Sequence, residues 1–199
     1  MKYIVVQNLS ILVELDNVDG TWTFTPNLHE NQSIIFTYDV ADDSMNAAIY
    51  GIVGDHTLSS GIGDDLLVGG KGADILTGGG GVDIFKFVTN DENTTVEFFT
   101  DTIANFEVGT DHIDLTEFLP EDSLNSGSSA SDFIDLSEDE DGNTVLSIHT
   151  GGDGADVDQE IKIEGVSTDE IYGADTTGIS EADILQKTLE DQNLLNGGM

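Results

Sequence analysis

The sequence between residues 60 and 86 reads SGIGDDLLV, GGKGADILT, GGGGVDIFK, which is three units of nine residues in phase. Glycine occupies the first, second and fourth positions with Ser60 as the one exception, aspartate the sixth, and a large apolar residue the eighth. A degenerate unit at 51–59 precedes them, with His56 in place of the aspartate. A phased period of this kind indicates a repeat architecture, because isolated glycine turns do not require a fixed period.

Each unit predicts a glycine-rich turn followed by a very short strand. Glycine permits positive φ and a close approach of main chains, and side chains alternate between the two faces of a strand. Two units complete one coil, so each strand is expected beside the strand two units later, about 4.7–4.9 Å away. The eighth-position residues predicted inside are Leu58, Leu67, Leu76 and Phe85, and the residues predicted on the outer face are Leu66, Ile75 and Ile84.

The same stacking predicts that the aspartates of alternate units lie over one another, Asp65 over Asp83. Two carboxylates that close repel each other unless a cation lies between them. Calcium suits such a place, because it takes roughly six to eight oxygen ligands and accepts backbone carbonyls. The chain has no cysteine and no histidine pair at ligand spacing, which disfavours zinc and copper. The alternative is turn chemistry alone.

In these units the chain resembles the RTX (repeats-in-toxin) family of calcium-binding proteins. The resemblance implies a mainly β fold, a parallel β-roll of calcium-binding nonapeptide repeats flanked by β-strands, with a C-terminal α-helix. It also implies that stacked turns supply carbonyl oxygens and sixth-position carboxylates to calcium. The ligands implied here are Asp65 with Asp83, Asp74 as the centre of a second site, and Gly61, Gly63, Gly70, Gly72, Gly79 and Gly81.

The second site departs from the family pattern on both sides of Asp74. His56 stands eighteen residues before it and Glu92 eighteen residues after it, in a stretch without glycine. This site is therefore expected to be incomplete or to borrow an acid from elsewhere. Asp55 and Asp64, at the fifth position, are expected to face solvent.

Residues 101–115, DTIANFEVGTDHIDL, resemble the segment that follows the repeats in many RTX exoproteins. They continue the short-strand pattern. Asp101 and Asp111 are further candidate calcium ligands, and the alternative for each is an ordinary turn or cap aspartate. The predicted core residues of this segment are Ile103, Phe106, Ile113 and Leu115.

Composition excludes several functions. Forty acidic and five basic residues give a formal charge of −35, which excludes the basic footprint of a nucleic-acid-binding protein and disfavours anionic membranes. The 38% hydrophobic content and nine phenylalanines disfavour disorder. We find no apolar run of membrane-spanning length, so no membrane insertion is expected. The N-terminus does not resemble a Sec-type signal peptide, so an export signal would have to lie elsewhere.

The sequence predicts three parts. Residues 1–46 form a β-strand segment that is either the end of a repeat module or an N-terminal cap, and 20–40 resemble the end of a cadherin-like or VCBS-type repeat of bacterial surface proteins. Trp22 is a predicted core residue of this segment. Residues 47–118 form the RTX β-roll and its continuation. Residues 119–199 form a β-hairpin cap, a C-terminal helix and a secretion signal.

Within the third part, strands at 133–136 and 144–148 flank an acidic tip. Residues 151–156 imitate a repeat, but they lack a stacking partner and are predicted to form a turn before a strand at 160–164. The C-terminal helix is predicted at 180–190, capped by Ser180.

Residues 156–166 and 182–189 resemble the type I secretion C-terminal target domain of large RTX adhesins. This resemblance implies export of the unfolded chain by the type I secretion machinery, with an uncleaved C-terminal signal, to the exterior or cell surface of a Gram-negative bacterium. Outside, calcium would bind the folded state and drive folding. The expected function is calcium-dependent folding and secretion of an extracellular adhesin, serving cell adhesion and biofilm formation.

Two alternatives remain open. The chain could be the C-terminal secretion or chaperone domain of an RTX exoenzyme, or a calcium-dependent ligand-binding module. The sequence has no HExxH or GxSxG motif and its four histidines are scattered, so the chain itself is not expected to be an enzyme. As a fragment it is expected to be a monomer.

Overall fold

The computed structural model describes residues 46–51, 54–88, 99–118, 130–150, 155–173, 179–180 and 185, together with five short strands outside these ranges. Almost all of the regular structure is β. The strands are β1 (Tyr3–Val6), β2 (Leu12–Glu14), β3 (Thr23–Thr25), β4 (Phe36–Asp39), β5 (Ala48–Tyr50), β6 (Thr57–Ile62), β7 (Leu66–Val68), β8 (Ile75–Gly80), β9 (Ile84–Lys86), β10 (Thr100–Ile103), β11 (His112–Asp114), β12 (Ile134–Glu138), β13 (Thr144–Ile148), β14 (Gln159–Ile163) and β15 (Leu194–Leu195).

The strands of the repeats stack in parallel with a register of eighteen residues. In one sheet Ile49 lies beside Leu67, and Leu67 beside Phe85. In the other, Leu58 lies beside Leu76. This register confirms the predicted β-roll, in which each strand is the neighbour of the strand two units later.

Two sheets form the body of the roll. The long sheet has the strand order β2-β3-β5-β7-β9-β11-β15, and the cap sheet has the order β6-β8-β10-β14-β13-β12. The parallel stack continues from the repeats into β10 and β11. The cap sheet then ends in the antiparallel hairpin β12–β13, which pairs through β13 with β14. The cap sheet therefore changes from parallel to antiparallel pairing at its C-terminal end.

The core lies between the two sheets. All four eighth-position residues are at most 1% exposed, whereas Ile75 on the outer face is 44% exposed. The core continues past the repeats through Ile103 and Ile113, and the rings of Phe85 and Phe106 lie 6.2 Å apart. The alternation of faces in the sequence thus predicted the core.

Outside the repeats the structure confirms some predicted elements and contains one that was not predicted. The hairpin and the strand before the C-terminus are confirmed as β12, β13 and β14. A short helix at Thr168–Tyr172 was not predicted; Ser167 and Glu170 form its capping box, and Gly173 ends it with a φ of 77°. Of the helix predicted at 180–190, the structure describes only Ser180 and Leu185, and Leu185 is helical and fully buried.

The N-terminal segment contributes strands to two sheets. β3 pairs in parallel with β5 and in antiparallel with β2, so both extend the long sheet of the repeats. β1 and β4 pair with each other. Trp22 lies outside the described residues, and the division of the chain at 46 and 118 stays a prediction.

Within the part of the chain that the structure describes, no helix has the length and apolar character needed to cross a bilayer.

Candidate metal centre

The turns of the roll stack along its two edges, and a column of buried acidic side chains follows each edge. The first column consists of Asp65, Asp83 and Asp111, which precede strands of the long sheet. The second column consists of His56, Asp74 and Asp101, which lie where strands of the cap sheet begin. Every aspartate in the two columns is at most 2% exposed, and His56 is 3% exposed.

Hydrogen bonds between main chain and carboxylate hold the first column together. The Asp65 N–H donates to Asp83 Oδ1 at 3.0 Å, and the Asp83 N–H donates to Asp111 Oδ1 at 3.0 Å. At the N-terminal end, the Ala47 N–H donates to Asp65 Oδ1 at 2.6 Å. Each carboxylate is therefore fixed against the turn that precedes it in the stack, and the predicted placement of Asp65 over Asp83 is confirmed.

The second column is built in the same way. The His56 N–H donates to Asp74 Oδ1 and the Asp74 N–H donates to Asp101 Oδ1, both at 2.7 Å. The neighbour of Asp74 on its C-terminal side is thus Asp101, twenty-seven residues on. The physical reason is that strand β10 carries the next aspartate. Glu92 lies outside the described residues. An aspartate from beyond the repeats thus continues the column, and its part in a second calcium site stays a prediction.

Two carboxylate oxygens in the columns have no hydrogen-bond partner. They are Asp74 Oδ2 and Asp83 Oδ2, both fully shielded from solvent. The first-position glycine of each unit lies against them: a Cβ at Gly69 would stand 2.4 Å from Asp74 Oδ2, and one at Gly78 would stand 2.2 Å from Asp83 Oδ2. A buried charged oxygen without a partner costs more than the roughly 1–3 kcal/mol of a neutral group. These two oxygens therefore fit a ligand that the polypeptide does not supply.

Main-chain carbonyls surround the same turns. A Cβ at Gly79 would lie 1.8 Å from the Gly61 carbonyl oxygen, and one at Gly81 would lie 2.2 Å from that of Gly63. At the other edge, a Cβ at Gly72 would lie 2.5 Å from the Gly54 carbonyl oxygen. Glycine is required at these places both for this approach and for a φ of 102° to 127°. Each turn thus lies closely against the main-chain carbonyl oxygens of the turn stacked on it.

The structure gives less direct support for the other three predicted glycines, Gly61, Gly63 and Gly70. Gly63 and Gly70 have φ values of 127° and 94°. Gly61 has open space where a Cβ would be, and its N–H donates to Asp65 Oδ2 at 3.3 Å. Among the described residues no three acidic or histidine side chains gather tightly enough to hold a metal by themselves. An ion at these turns would need main-chain oxygens, which are ligands that calcium accepts.

Burial disfavours the ionised form of several of these acids. It raises the pKa of Asp83 to about 7, to which the charges of Asp111 and Asp65 add while the Asp65 N–H opposes it. It raises the pKa of Asp101 to about 7, with a further contribution from the charge of Asp74. Burial also raises the pKa of Asp111. A divalent cation beside such carboxylates would favour their ionised form.

Asp101 and Asp111 differ from Asp74 and Asp83, because both of their oxygens accept hydrogen bonds. Asp101 Oδ2 accepts from Gln159 Nε2 at 3.0 Å. Asp111 Oδ2 accepts from the Glu107 N–H at 2.9 Å. These bonds fit the turn and cap alternative for the two residues, and a ligand role for them stays a prediction.

Sequence reasoning missed the contacts by which three polar side chains fix the turns. Asp55 and Asp64 are exposed as predicted, yet each carboxylate accepts the main-chain N–H of the residue eighteen positions later. The Asn105 amide bridges one turn, accepting from the Gly78 N–H and donating to the Gly79 carbonyl, both at 2.9 Å. The signal for Asn105 was its distance of twenty-seven residues from Gly78, which equals that between Asp74 and Asp101.

Comparison with known proteins agrees with this architecture. Residues 19–172 match the family model described as Peptidase M10 serralysin C terminal, which is more than half of the chain. The chain belongs to the serralysin C-terminal family. Serralysin-type RTX domains are calcium-binding β-rolls of extracellular proteins that leave the cell by type I secretion.

The chain is similar to a solved structure, the solution structure of the AlgE6R3 subunit from the Azotobacter vinelandii mannuronan C5-epimerase. It is 25% identical, with a TM-score of 0.44 over 72% of this chain and 82% of that chain. No protein of curated function matches the chain.

Proposed function

We propose that the chain is a calcium-dependent folding module that serves type I export of an extracellular protein. The observation that carries the proposal is the pair of buried, unpartnered oxygens, Asp74 Oδ2 and Asp83 Oδ2, each enclosed by a glycine turn. The turns of the two columns offer carboxylate and main-chain carbonyl oxygens as ligands. Calcium accepts such a set in flexible geometry, whereas magnesium demands a near-ideal octahedron and gives up its water reluctantly.

The columns couple ion binding to folding, because the aspartates meet the turns they bind only when the strands are stacked. Without calcium, a chain of charge −35 with buried carboxylates repels itself, which opposes folding. With calcium, binding stabilises the folded state alone, by about 2.7 kcal/mol per site at ~100 times Kd. Two sites would supply a large share of a typical stability of about 5–15 kcal/mol. A chain unfolded in a low-calcium cytosol and folded outside suits export through a narrow channel.

We place the module at the C-terminus of an adhesin, on the resemblance of 156–166 and 182–189 to the secretion target domain of such proteins. A second candidate is the C-terminal domain of an exoenzyme, which the family description, a peptidase C terminus, favours. Secreted protease activity and surface attachment, each measured with the gene intact and deleted in the producing bacterium, separate the two candidates. Loss of proteolysis would favour the exoenzyme, and loss of surface attachment the adhesin.

The chain itself is proposed to carry no catalysis. The acids of the two columns are at most 2% exposed and enclosed by glycine turns, so a substrate has little access to them. Their burial suits an ion held within the fold and does not suit a calcium with open positions for an outside ligand.

The decisive experiment is far-UV circular dichroism during a calcium titration of metal-free protein, with magnesium as the control. A cooperative gain of β signal at about 10⁻⁴–10⁻³ M calcium, the range of extracellular modules, and none with magnesium is the expected result. A chain that is fully folded in chelator would overturn the folding switch.

A further inference from the structure

His149 joins three segments at the C-terminal end of the cap sheet. Its Nε2 lies 2.9 Å from Asp135 Oδ2 on β12, and its Nδ1 lies 2.9 Å from the carbonyl oxygen of Ala155. Its main-chain N–H donates to the Phe133 carbonyl at 2.8 Å. The side chain is only 11% exposed. The ring therefore connects the β12–β13 hairpin to residues 155–158, which lead into β14.

The two ring contacts determine the protonation state of the imidazole. A carbonyl oxygen can only accept a hydrogen bond, so the Nδ1 that faces Ala155 must carry a proton. The Asp135 side chain is 63% exposed and hence well hydrated, so its carboxylate also accepts, and Nε2 must carry a proton as well. A neutral imidazole has one N–H and satisfies only one of these acceptors. Both contacts are made together only by the imidazolium.

The charges around the ring support the same state. Asp135 faces it from β12, and Asp156 and Asp158 belong to the segment that the ring fastens. Asp158 Oδ2 is engaged by the N–H and the hydroxyl of Thr150, at 2.6 Å each. Burial alone would lower the pKa of His149, but the hydrogen bonds to Asp135 and to the main chain outweigh it and leave the pKa raised.

We propose that His149 is a protonated latch, which connects Ala155 to Asp135 of the β12–β13 hairpin and breaks this connection when the imidazolium loses its proton. The latch acts on the roll through β14, which pairs in parallel with β10 from Thr100↔Glu160 to Ile103↔Ile163. Because the pKa is higher in the folded state, the stabilisation is fully present below the ordinary value of 6.5 and is lost as pH rises through the folded-state pKa.

The test is two-bond ¹H–¹⁵N spectroscopy of the histidine rings in the calcium-saturated chain across pH 5 to 9. The expected result is a His149 that carries both ring protons at pH 6.5 and titrates above that value. Asp135→Asn should lower its pKa, because the amide keeps the shape but not the charge. Asp141→Asn, an equal charge change at the exposed tip of the same hairpin, should leave it almost unchanged.

A thermal melt adds a second readout. His149→Gln should abolish the extra loss of Tm between pH 6.5 and 8.5, and Asp135→Asn should reduce it. If His149→Gln does not fold, the spectra of Asp135→Asn still decide. A ring that holds a single proton at pH 6.5, or a pKa that both aspartate variants shift equally, would overturn the latch.

Discussion

At Asp83 the burial of the side chain conflicts with its charge. Its side chain is fully buried, one oxygen accepts the Asp65 N–H, and the other has no partner. The binding of an ion that relieves this conflict should depend strongly on the Asp83 carboxylate. A matched comparison is available in Asp64, an exposed acid whose Oδ1 accepts the N–H of Val82.

We expect Asp83→Asn to raise the calcium concentration at the folding midpoint by at least about tenfold, since changes around a metal commonly cost 10–100-fold in affinity. Asp64→Asn removes the same formal charge from the surface and should shift the midpoint much less. Circular dichroism during calcium titration measures both. Equal midpoints for the two variants would count against Asp83 as a ligand.

The pKa values of about 7 for Asp83 and Asp101, against an ordinary 3.8, give a pH dependence with a definite sign. Both carboxyls bind protons more tightly when folded, so the metal-free fold should be most stable at low pH and lose stability as pH rises from about 4 to 7. Metal-free protein should therefore show more β signal at pH 5 than at pH 8.

Two double variants separate this effect from the relief of overall charge. Asp83→Asn with Asp101→Asn should flatten the dependence, and Asp55→Asn with Asp64→Asn should preserve it. A metal-free chain whose folded fraction increases between pH 5 and pH 8 would contradict the assignment.

At the residue scale the phased motif predicted Asp65, Asp74 and Asp83 as one kind of group. The structure buries all three, but Asp65 Oδ2 accepts the Gly61 N–H, whereas Asp74 Oδ2 and Asp83 Oδ2 have no partner. The motif could not predict that Asp101 would lie next to Asp74, because the two are twenty-seven residues apart and the register of the repeats is eighteen. Nor could it predict that Asp101 Oδ2 has a hydrogen-bond partner and Asp74 Oδ2 has none, since that partner is Gln159, fifty-eight residues further on. Such contacts are fixed by tertiary packing and not by a local pattern.

At the scale of the elements, the glycine turns determine how closely the strands of the roll can stack. Gly79 has a φ of 102° and would place a Cβ 1.8 Å from the Gly61 carbonyl oxygen. Gly109 has a φ of 78°, but a Cβ at this position would meet no atom within 4 Å. At both positions an L-residue would strain the backbone, but only at Gly79 would its Cβ also meet a neighbouring atom.

Gly109→Ala should cost about 1–2 kcal/mol, the penalty of a left-handed conformation for an L-residue. Gly79→Ala should cost clearly more and raise the calcium midpoint, because the alanine methyl displaces a carbonyl oxygen of the neighbouring turn. Urea unfolding in saturating calcium gives both free energies. Equal losses would show that only φ matters and that the turns do not press together.

Elements with strong patterns were predictable and short ones were not. Leu58, Leu67, Leu76 and Phe85 recur with the period of the roll, so the strands that carry them could be read directly. The helix Thr168–Tyr172 is five residues long, too short for an apolar stripe, and only its cap residues Ser167 and Glu170 gave a local signal. The pairing of β14 with β10 joins residues sixty apart and has no signature in sequence.

At the scale of the whole molecule, alternate turns lie on opposite edges and alternate strands in opposite sheets. Deletion of residues 60–77 removes a full coil and leaves Asp83 in the first column, so the shortened chain should still fold cooperatively with calcium, with a smaller gain of β signal. Deletion of 69–77 removes half a coil and moves Asp83 to the second edge, away from Asp111. That chain should lose cooperative folding, and indistinguishable titrations of the two deletions would contradict the alternation.

The change from parallel to antiparallel pairing at the end of the cap sheet has a consequence for how such a chain could evolve. The hairpin β12–β13 and strand β14 join the sheet that contains β10. A change in the number of units before them must therefore be an even number, so that β10 stays in that sheet. Gene duplication of a single nonapeptide would present the hairpin with the wrong sheet, whereas duplication of a pair would be neutral in this respect. Selection would then act on repeats two at a time, and descendants of this chain would differ in length by whole coils.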